Sequence, residues 1–185
     1  MHPFFIPYPM HVNDVTPAEY SPFYTPYVHS VSSEYNLIEE LEISLHRFIK
    51  FVQNIPMDKF DYRYAEGKWT IKEIIQHLMD AERIFAYRAL RFARMDATEL
   101  PGFDEHAYAS AVNAFANKRK LADLLTEYTL IRQSSIALFK NFTPVELTRG
   151  GQAAKAYISV RAIGFIIIGH QNHHQRLFQE RYLDA

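Results

Sequence analysis

Apolar residues recur at a spacing near 3.6 in four long segments of this 185-residue chain, and that period restricts the fold to packed helices. The segments cover roughly residues 33–55, 70–95, 117–141 and 158–182. No segment shows a convincing alternation of apolar and polar residues, as a half-buried strand would. Four amphipathic helices of this length predict an all-α four-helix bundle.

Local signals mark several of the helix ends. Ser32 or Ser33 can cap the first helix, and Pro56 ends it. The second helix opens at Thr70, an N-cap whose capping box is completed by Glu73 three residues later. The connection between the second and third helices is too long for a simple turn, so residues 103–115 predict a short extra helix. The stretch TPVELTRGGQ, with its paired glycines, predicts a loop before the last helix.

The first 30 residues differ in composition from the rest of the chain. They hold six of the nine prolines, none of the six glycines and many aromatic side chains. The aromatic residues are Phe4, Phe5, Tyr8, Tyr20, Phe23, Tyr24 and Tyr27. Prolines oppose a regular helix, and this aromatic content is too high for a solvated tail. We therefore expect an extended arm over residues 1–30 that lies across the helices or a neighbouring subunit, followed by one bundle domain over residues 31–185.

Composition excludes several classes of function. The formal net charge is −1, so no bulk positive field is available and we expect no nucleic-acid partner. No apolar run approaches the roughly 20 residues that span a bilayer, and the start lacks a basic signal region, so we expect a cytoplasmic protein with no membrane partner. Cysteine is absent, which removes disulfides, thiolate ligands and a cysteine nucleophile. Any transition-metal site must therefore use imidazole and carboxylate groups.

The stretch GHQNHHQ, residues 169–175, carries three histidines near the end of the last helix. His170 and His174 continue the inward apolar stripe of this helix, and their i, i+4 spacing places them about 6 Å apart on one face. Two imidazoles at that separation can share one metal ion. His173 lies to one side of the stripe, so we expect it to support the ligands or to face solvent.

A third ligand is needed, because an i, i+4 histidine pair arises often by chance. His77 lies on the buried face of the second helix, and Asp80 one turn later is placed to accept a hydrogen bond from a ligand or to act as a general base. Three neutral imidazoles leave a coordination position open, as catalytic sites do. Hydrogen-bonded core histidines are the alternative interpretation. His46 is a fourth candidate ligand, and we expect surface or packing roles for His2, His11, His29 and His106.

Three motifs in order, KWTIKEIIQHLMDAE, LPGFDEHAYA and GHQNHHQRLFQERYL, resemble the DinB-like superfamily of DinB/YfiT-like metal-binding four-helix-bundle proteins. The resemblance spans roughly residues 36–183. It implies a divalent metal ion held by one histidine of the second helix and two of the last, which are His77, His170 and His174 in this chain. It also implies zinc or nickel as the ion and a homodimer as the assembly. The long aromatic arm departs from the simple family pattern and can cover or reshape the site.

Some members of this superfamily are thiol S-transferases or isomerases that use a low-molecular-weight thiol as cosubstrate. The leading hypothesis is therefore a metal-dependent, thiol S-transferase-like enzyme in which the ion activates such a thiol to attack a small-molecule electrophile. A metal-dependent hydrolase and a non-catalytic metal-binding stress-response module are the alternatives. Arg88 and Arg91 are candidates for binding an anionic cosubstrate, and Tyr87, Tyr157 and Asp104 are candidate pocket residues.

Overall fold

Four long helices form the body of the protein, which is seen in a computed structural model that describes residues 10–184 apart from the side chains of residues 113 and 114. The helices in chain order are α1 (Thr25–Val28), α2 (Leu37–Gln53), α3 (Ile71–Ala93), α4 (Glu105–Ala116), α5 (Leu121–Lys140), α6 (Pro144–Thr148) and α7 (Val160–Phe178). Helices α3 and α2 each pack against both α5 and α7. The predicted four-helix bundle is confirmed. Among the described residues, no helix combines the length and apolarity that a membrane span requires.

The start of α3 follows the predicted capping box. Thr70 Oγ1 accepts a hydrogen bond from the Glu73 backbone N–H, and the Glu73 carboxylate accepts one from the Thr70 backbone N–H. The start of α2 differs from the prediction, because Asn36 caps it and the serines at 32 and 33 lie before it. Asn36 Oδ1 accepts from two backbone N–H groups, of Ile38 and Glu39, which suits an amide N-cap.

The connections between the long helices contain more regular structure than the sequence indicates. The extra helix expected at residues 103–115 is present as α4. The predicted loop TPVELTRGGQ instead contains α6, capped by Thr143, and the start of a β-hairpin. Strand β1 (Gly150–Ala153) pairs antiparallel with β2 (Ala156–Ser159), with Gly150 opposite Ser159. The expectation that the chain lacks strands is therefore wrong for this short segment.

The described part of the arm, from residue 10 onward, packs on the bundle. It forms three single 3-10 turns and α1, so it is less extended than predicted. Its main partner is α7. Glu19 accepts two hydrogen bonds from the Arg161 guanidinium and one from Ser159, the N-cap of α7. The described residues of the arm lie across the bundle, while Phe4, Phe5 and Tyr8 lie outside the described residues.

A buried polar network joins all four long helices at the centre of the bundle. The Arg132 guanidinium on α5 donates to the Glu82 carboxylate on α3, to Ser44 Oγ on α2 and to the Tyr128 hydroxyl. Tyr128 in turn donates to the Gln171 side chain on α7. Arg132 and Glu82 are almost fully buried, so their charges are compensated by each other and by these hydrogen bonds. The network fixes how α7 sits against the other three helices, immediately beside His170.

Candidate metal centre

Three buried histidines converge where α3 packs against α7. The Nε2 atom of His170 lies 3.0 Å from Nε2 of His77 and 3.1 Å from Nε2 of His174. Each of the three residues is only 7% exposed. One ligand atom from each can lie within 4.8 Å of the others, so the three side chains can hold a single metal ion. The structure thus brings together the three predicted metal ligands.

The packing of the two helices explains this convergence. His170 and His174 are one turn apart on α7, and their rings stand at 77° to each other with centres 4.7 Å apart. The α3 helix presents His77 to both, with ring centres 4.9 and 5.1 Å away. The extensive contact between α3 and α7 holds the two helices in one register. A small shift of one helix along the other would separate these rings.

The donor set fits a cation better than it fits a hydrogen-bonded cluster. A neutral imidazole nitrogen takes part in one well-aligned hydrogen bond, yet Nε2 of His170 faces two other ring nitrogens. Two nitrogens bound to a tetrahedral zinc ion at about 2.0–2.1 Å lie about 3.3 Å apart, close to the distances within this cluster. A shared divalent ion would therefore engage all three lone pairs with little movement of the rings.

The protonation state of the cluster also suits a metal. Burial, together with the neighbouring histidines, lowers the pKa of His77 to about 4. The same causes, burial first, hold the pKa values of His170 and His174 well below the ordinary histidine range. All three imidazoles are therefore neutral near pH 7, and their lone pairs are available to a cation without loss of a proton.

Asp80, the predicted general base, is not in contact with the histidines. Its carboxylate accepts a hydrogen bond from the Gln76 side chain and lies 3.7 Å from the Arg83 guanidinium. Burial raises the pKa of Asp80, although these two neighbours act in the opposite direction. A catalytic role for Asp80 stays a prediction, and its observed partners are those of a residue that links successive turns of α3.

The two arginines proposed to bind a cosubstrate already have partners within the chain. Arg88 is buried, donates to the Pro101 carbonyl oxygen and lies over the Phe85 ring. Arg91 forms an ion pair with Asp96 and donates a hydrogen bond to Tyr87. Residues 88 and 91 follow His77 by about 16 and 21 Å along the axis of α3. Cosubstrate binding by either arginine stays a prediction.

The other candidate residues lie outside the three-histidine cluster. Tyr87 and Tyr157 are exposed, and Asp104 accepts backbone hydrogen bonds at the start of α4. His46 is exposed on α2, in a groove formed with α5. His173 is half-buried, with its ring centre 5.0 Å from that of His174, which agrees with a supporting position. His11 and His29 belong to the arm, and His2 lies outside the described residues.

A cavity of about 190 Å³ adjoins the cluster and has His174 in its wall. Its other walls include Trp69 from the loop before α3 and Glu105 and His106 from the first turn of α4. The Trp69 ring centre lies 5.1 Å from that of His77 and 5.4 Å from that of His106. The sequence predicts a surface or packing role for His106 and no role for Trp69. The one sequence signal for Trp69 is its position directly before Thr70, the N-cap of the helix that carries His77.

The arm packs against His170 and His173. The Tyr27 ring centre lies 5.5 Å from the His170 ring and 5.3 Å from the His173 ring. This approach requires glycine at position 169, because a Cβ atom there would lie 2.2 Å from the Tyr27 carbonyl oxygen. A hydrogen bond from the Asn172 side chain to the Ser30 carbonyl oxygen adds a further anchor. The arm therefore forms one wall of the three-histidine cluster.

We expect Gly169→Ala to displace the arm from α7. The added methyl group would collide with backbone atoms of Tyr27, which cannot move as a side-chain end can, so we expect a loss of about 1–3 kcal/mol in stability. Limited proteolysis should then cut the arm faster. The matched control is Gly164→Ala on the same helix, whose Cβ would meet the flexible end of Leu37. Unchanged proteolysis of the Gly169→Ala variant would contradict this packing of the arm.

These features define a helical-bundle protein in which two packed helices bring three buried histidines to one point. The family model of the DinB superfamily matches residues 40–178, and the chain belongs to this superfamily. The predicted resemblance is thereby confirmed. A search of curated proteins found no match.

Comparison with solved structures gives the same fold. The chain is similar to a structure described as "YfiT from Bacillus subtilis is a probable metal-dependent hydrolase with an unusual four-helix bundle topology". The TM-score is 0.68 and the sequence identity is 21%, over 88% of this chain and 91% of the other. At this identity the similarity concerns the fold, and the four-helix topology is common to both proteins.

Proposed function

We propose that this protein is a metal-dependent hydrolase whose divalent ion is held by His77, His170 and His174. The observation that carries the proposal is the convergence of three buried imidazoles beside a cavity. An ion bound there would supply Lewis acidity to polarise a substrate carbonyl or to lower the pKa of a nucleophile. Zinc is the first candidate ion and nickel the second, because imidazole donors suit both.

The size of the cavity favours water as the nucleophile over a thiol cosubstrate. Pockets for drug-sized ligands usually measure about 300–1,000 Å³, whereas this cavity measures about 190 Å³. A low-molecular-weight thiol and an electrophile could not both lie wholly inside that space. The description of YfiT as a probable metal-dependent hydrolase also supports this choice.

His106 is placed to move a proton within this site. Its side chain forms part of the wall of the cavity that His174 also lines, and its ring packs beside Trp69. It is exposed, so it can exchange protons with solvent. Asp104 holds the first turn of α4 by accepting hydrogen bonds from the backbone N–H groups of His106 and Ala107. We propose that His106 donates a proton to the leaving group, while the buried histidines hold the ion.

His106→Gln should lower kcat about 100-fold and leave the metal content unchanged, because proton transfer is lost while the three ligands remain. The assay follows hydrolysis of 4-nitrophenyl acetate and of related esters and amides by the zinc-loaded protein. His46→Gln removes an exposed histidine that lies far from the cavity and should keep full activity. Equal rates for both variants would exclude His106 from the reaction.

Metal binding itself can be tested with the single tryptophan of the chain. Trp69 lies 5.1 Å from His77 between ring centres, so cobalt(II) bound by the three histidines should quench its fluorescence. Quenching should saturate at one ion per chain, and zinc should reverse it by competition. Absence of quenching, together with no zinc retained after dialysis, would exclude the three-histidine metal site.

A thiol S-transferase-like activity is the second candidate. The observation that favours it is the exposed mouth of the cavity. The residues at its mouth, Gly67, Lys68, Glu105 and His106, are exposed, so the body of a thiol could remain outside while its sulfur entered. Turnover of esters without added thiol supports the hydrolase, and turnover of electrophiles only with thiol supports the transferase. A bound ion that raises the melting temperature without any turnover would favour the non-catalytic module.

A further inference from the structure

Three aromatic side chains form part of the wall of the cavity beside His174. Tyr64, Trp69 and Tyr182 line it together with the aliphatic side chains of Ile74 and Leu177. Tyr64 and Tyr182 meet edge to face, with ring centres 5.2 Å apart and planes at 87°. The Tyr182 hydroxyl donates a hydrogen bond to the Trp69 carbonyl oxygen. These contacts link Tyr64 and Tyr182 to each other and Tyr182 to the backbone of Trp69.

The volume matches one ring-sized group. An apolar cavity of about 150 Å³ is large enough to hold benzene, and this one measures about 190 Å³. Aromatic walls prefer a flat apolar partner, because offset and edge-to-face contacts between rings add to the burial of apolar area. The remaining space accommodates a carbonyl or a similar small polar group attached to that ring.

The charges at the mouth favour a neutral molecule. Lys68 and Glu105 lie at the exposed edge of the cavity and carry opposite charges, so neither sign of substrate charge is strongly attracted. His106 at the same edge offers a hydrogen bond to a polar substituent. A bound molecule would therefore place its apolar end against the inner walls and its polar end at the mouth of the cavity.

We propose that the substrate is a small neutral compound with a single flat ring, such as an aromatic ester or amide, whose ring packs against Trp69, Tyr64 and Tyr182. The reacting carbonyl then lies on the His174 side of the cavity. This substrate class rests on the proposed function, because only the three-histidine site gives the carbonyl a reaction partner.

Two metal-chelating probes test the substrate class without turnover. Benzohydroxamate carries a ring and acetohydroxamate carries a methyl group, while their chelating groups are the same. Titration into the cobalt(II)-loaded protein, followed by the visible absorption of cobalt, should give about 30-fold tighter binding of benzohydroxamate, because burial of the ring removes apolar area from water. Leu177→Phe should fill the ring site, reduce the preference to below about 3-fold and leave acetohydroxamate binding nearly unchanged.

The control and the outcomes separate this proposal from the proposed function. Leu130→Phe adds the same ring at an exposed position on α5 and should keep the full preference. If the cobalt spectrum is absent, the metal site and the proposed function are both wrong. If cobalt binds and both hydroxamates bind equally well to the unaltered protein, the substrate class is wrong while the metal site stands. A preference that persists in Leu177→Phe would place the ring outside this cavity and would also overturn the proposal.

Discussion

Replacing His170 with alanine is expected to remove stoichiometric metal binding and the hydrolysis that depends on it. His170 is the central member of the proposed ligand set, since its Nε2 atom lies within 3.1 Å of Nε2 of both other histidines. Changes to partners outside the ligand set of a metal site typically cost 10–100-fold in affinity, so loss of a ligand should cost more than about 100-fold. The measurements are metal content by elemental analysis and quenching of Trp69 by cobalt(II).

Thermal unfolding gives an independent measure of the same change. At a free metal concentration 100 times the Kd, binding stabilises the unaltered protein by about 2.7 kcal/mol, which corresponds to roughly 5–10 °C in Tm. The His170→Ala variant should show no such increase. His173→Ala, on the same helix but outside the cluster of three, is the matched control and should keep most of the increase. Unchanged metal content in the His170→Ala variant would rule out the three-histidine site.

Arg132→Leu is expected to destabilise the bundle more than the loss of any surface ion pair would. The substitution would leave the buried Glu82 carboxylate without its guanidinium partner and would also free Ser44 and Tyr128. Breaking a buried ion pair by removal of one partner costs about 3–5 kcal/mol. For a chain of this size we expect a fall of roughly 6–20 °C in Tm, measured by calorimetry or circular dichroism.

Two further variants show whether the cost comes from the buried charge. Arg83→Leu removes one of the two arginine partners of Glu127, in an ion pair that also joins α3 to α5 but lies at the surface, so the loss should stay below about 1 kcal/mol. Glu82→Leu/Arg132→Leu removes both buried charges and should be more stable than Arg132→Leu alone. A double variant less stable than the single one would show that the network acts through packing and not through charge compensation.

The parts of the fold that were predictable from the sequence are those set by local interactions. The capping box of Thr70 and Glu73 is complete within four residues, and the apolar period defines the buried face of each long helix. The hairpin was missed because its two-residue turn, Ala154–Lys155, has positive φ at both positions without the glycine or asparagine that usually marks such turns. The helical turns of the arm and α6 begin near prolines, which are favoured at the first positions of a helix as well as in extended chain.

In the candidate site too, features set by local helix geometry are predictable and features set by packing between elements are not. The inward phase of His170 and His174 follows from helix geometry, and His77 was accessible because it too lies on an apolar helix face. Trp69 and His106 carry no comparable signal, because their proximity depends on how α4 and the loop before α3 pack around the bundle. Asp80 lies one helical turn after His77, as a residue supporting that ligand would. Its carboxylate instead accepts a hydrogen bond from Gln76 and lies near Arg83, both on α3.

The arm and α7 lie at opposite ends of the described chain, and this separation has a consequence for biosynthesis. Glu19 bonds to Arg161 and Ser30 bonds to Asn172, so these anchors join residues 142 positions apart. A ribosome that adds about 5–20 residues per second completes the arm well before it completes α7. During that interval the arm and His77 have no α7 to pack against. Two of the three candidate metal ligands are on α7, so the proposed metal site can form only after α7 has left the ribosome.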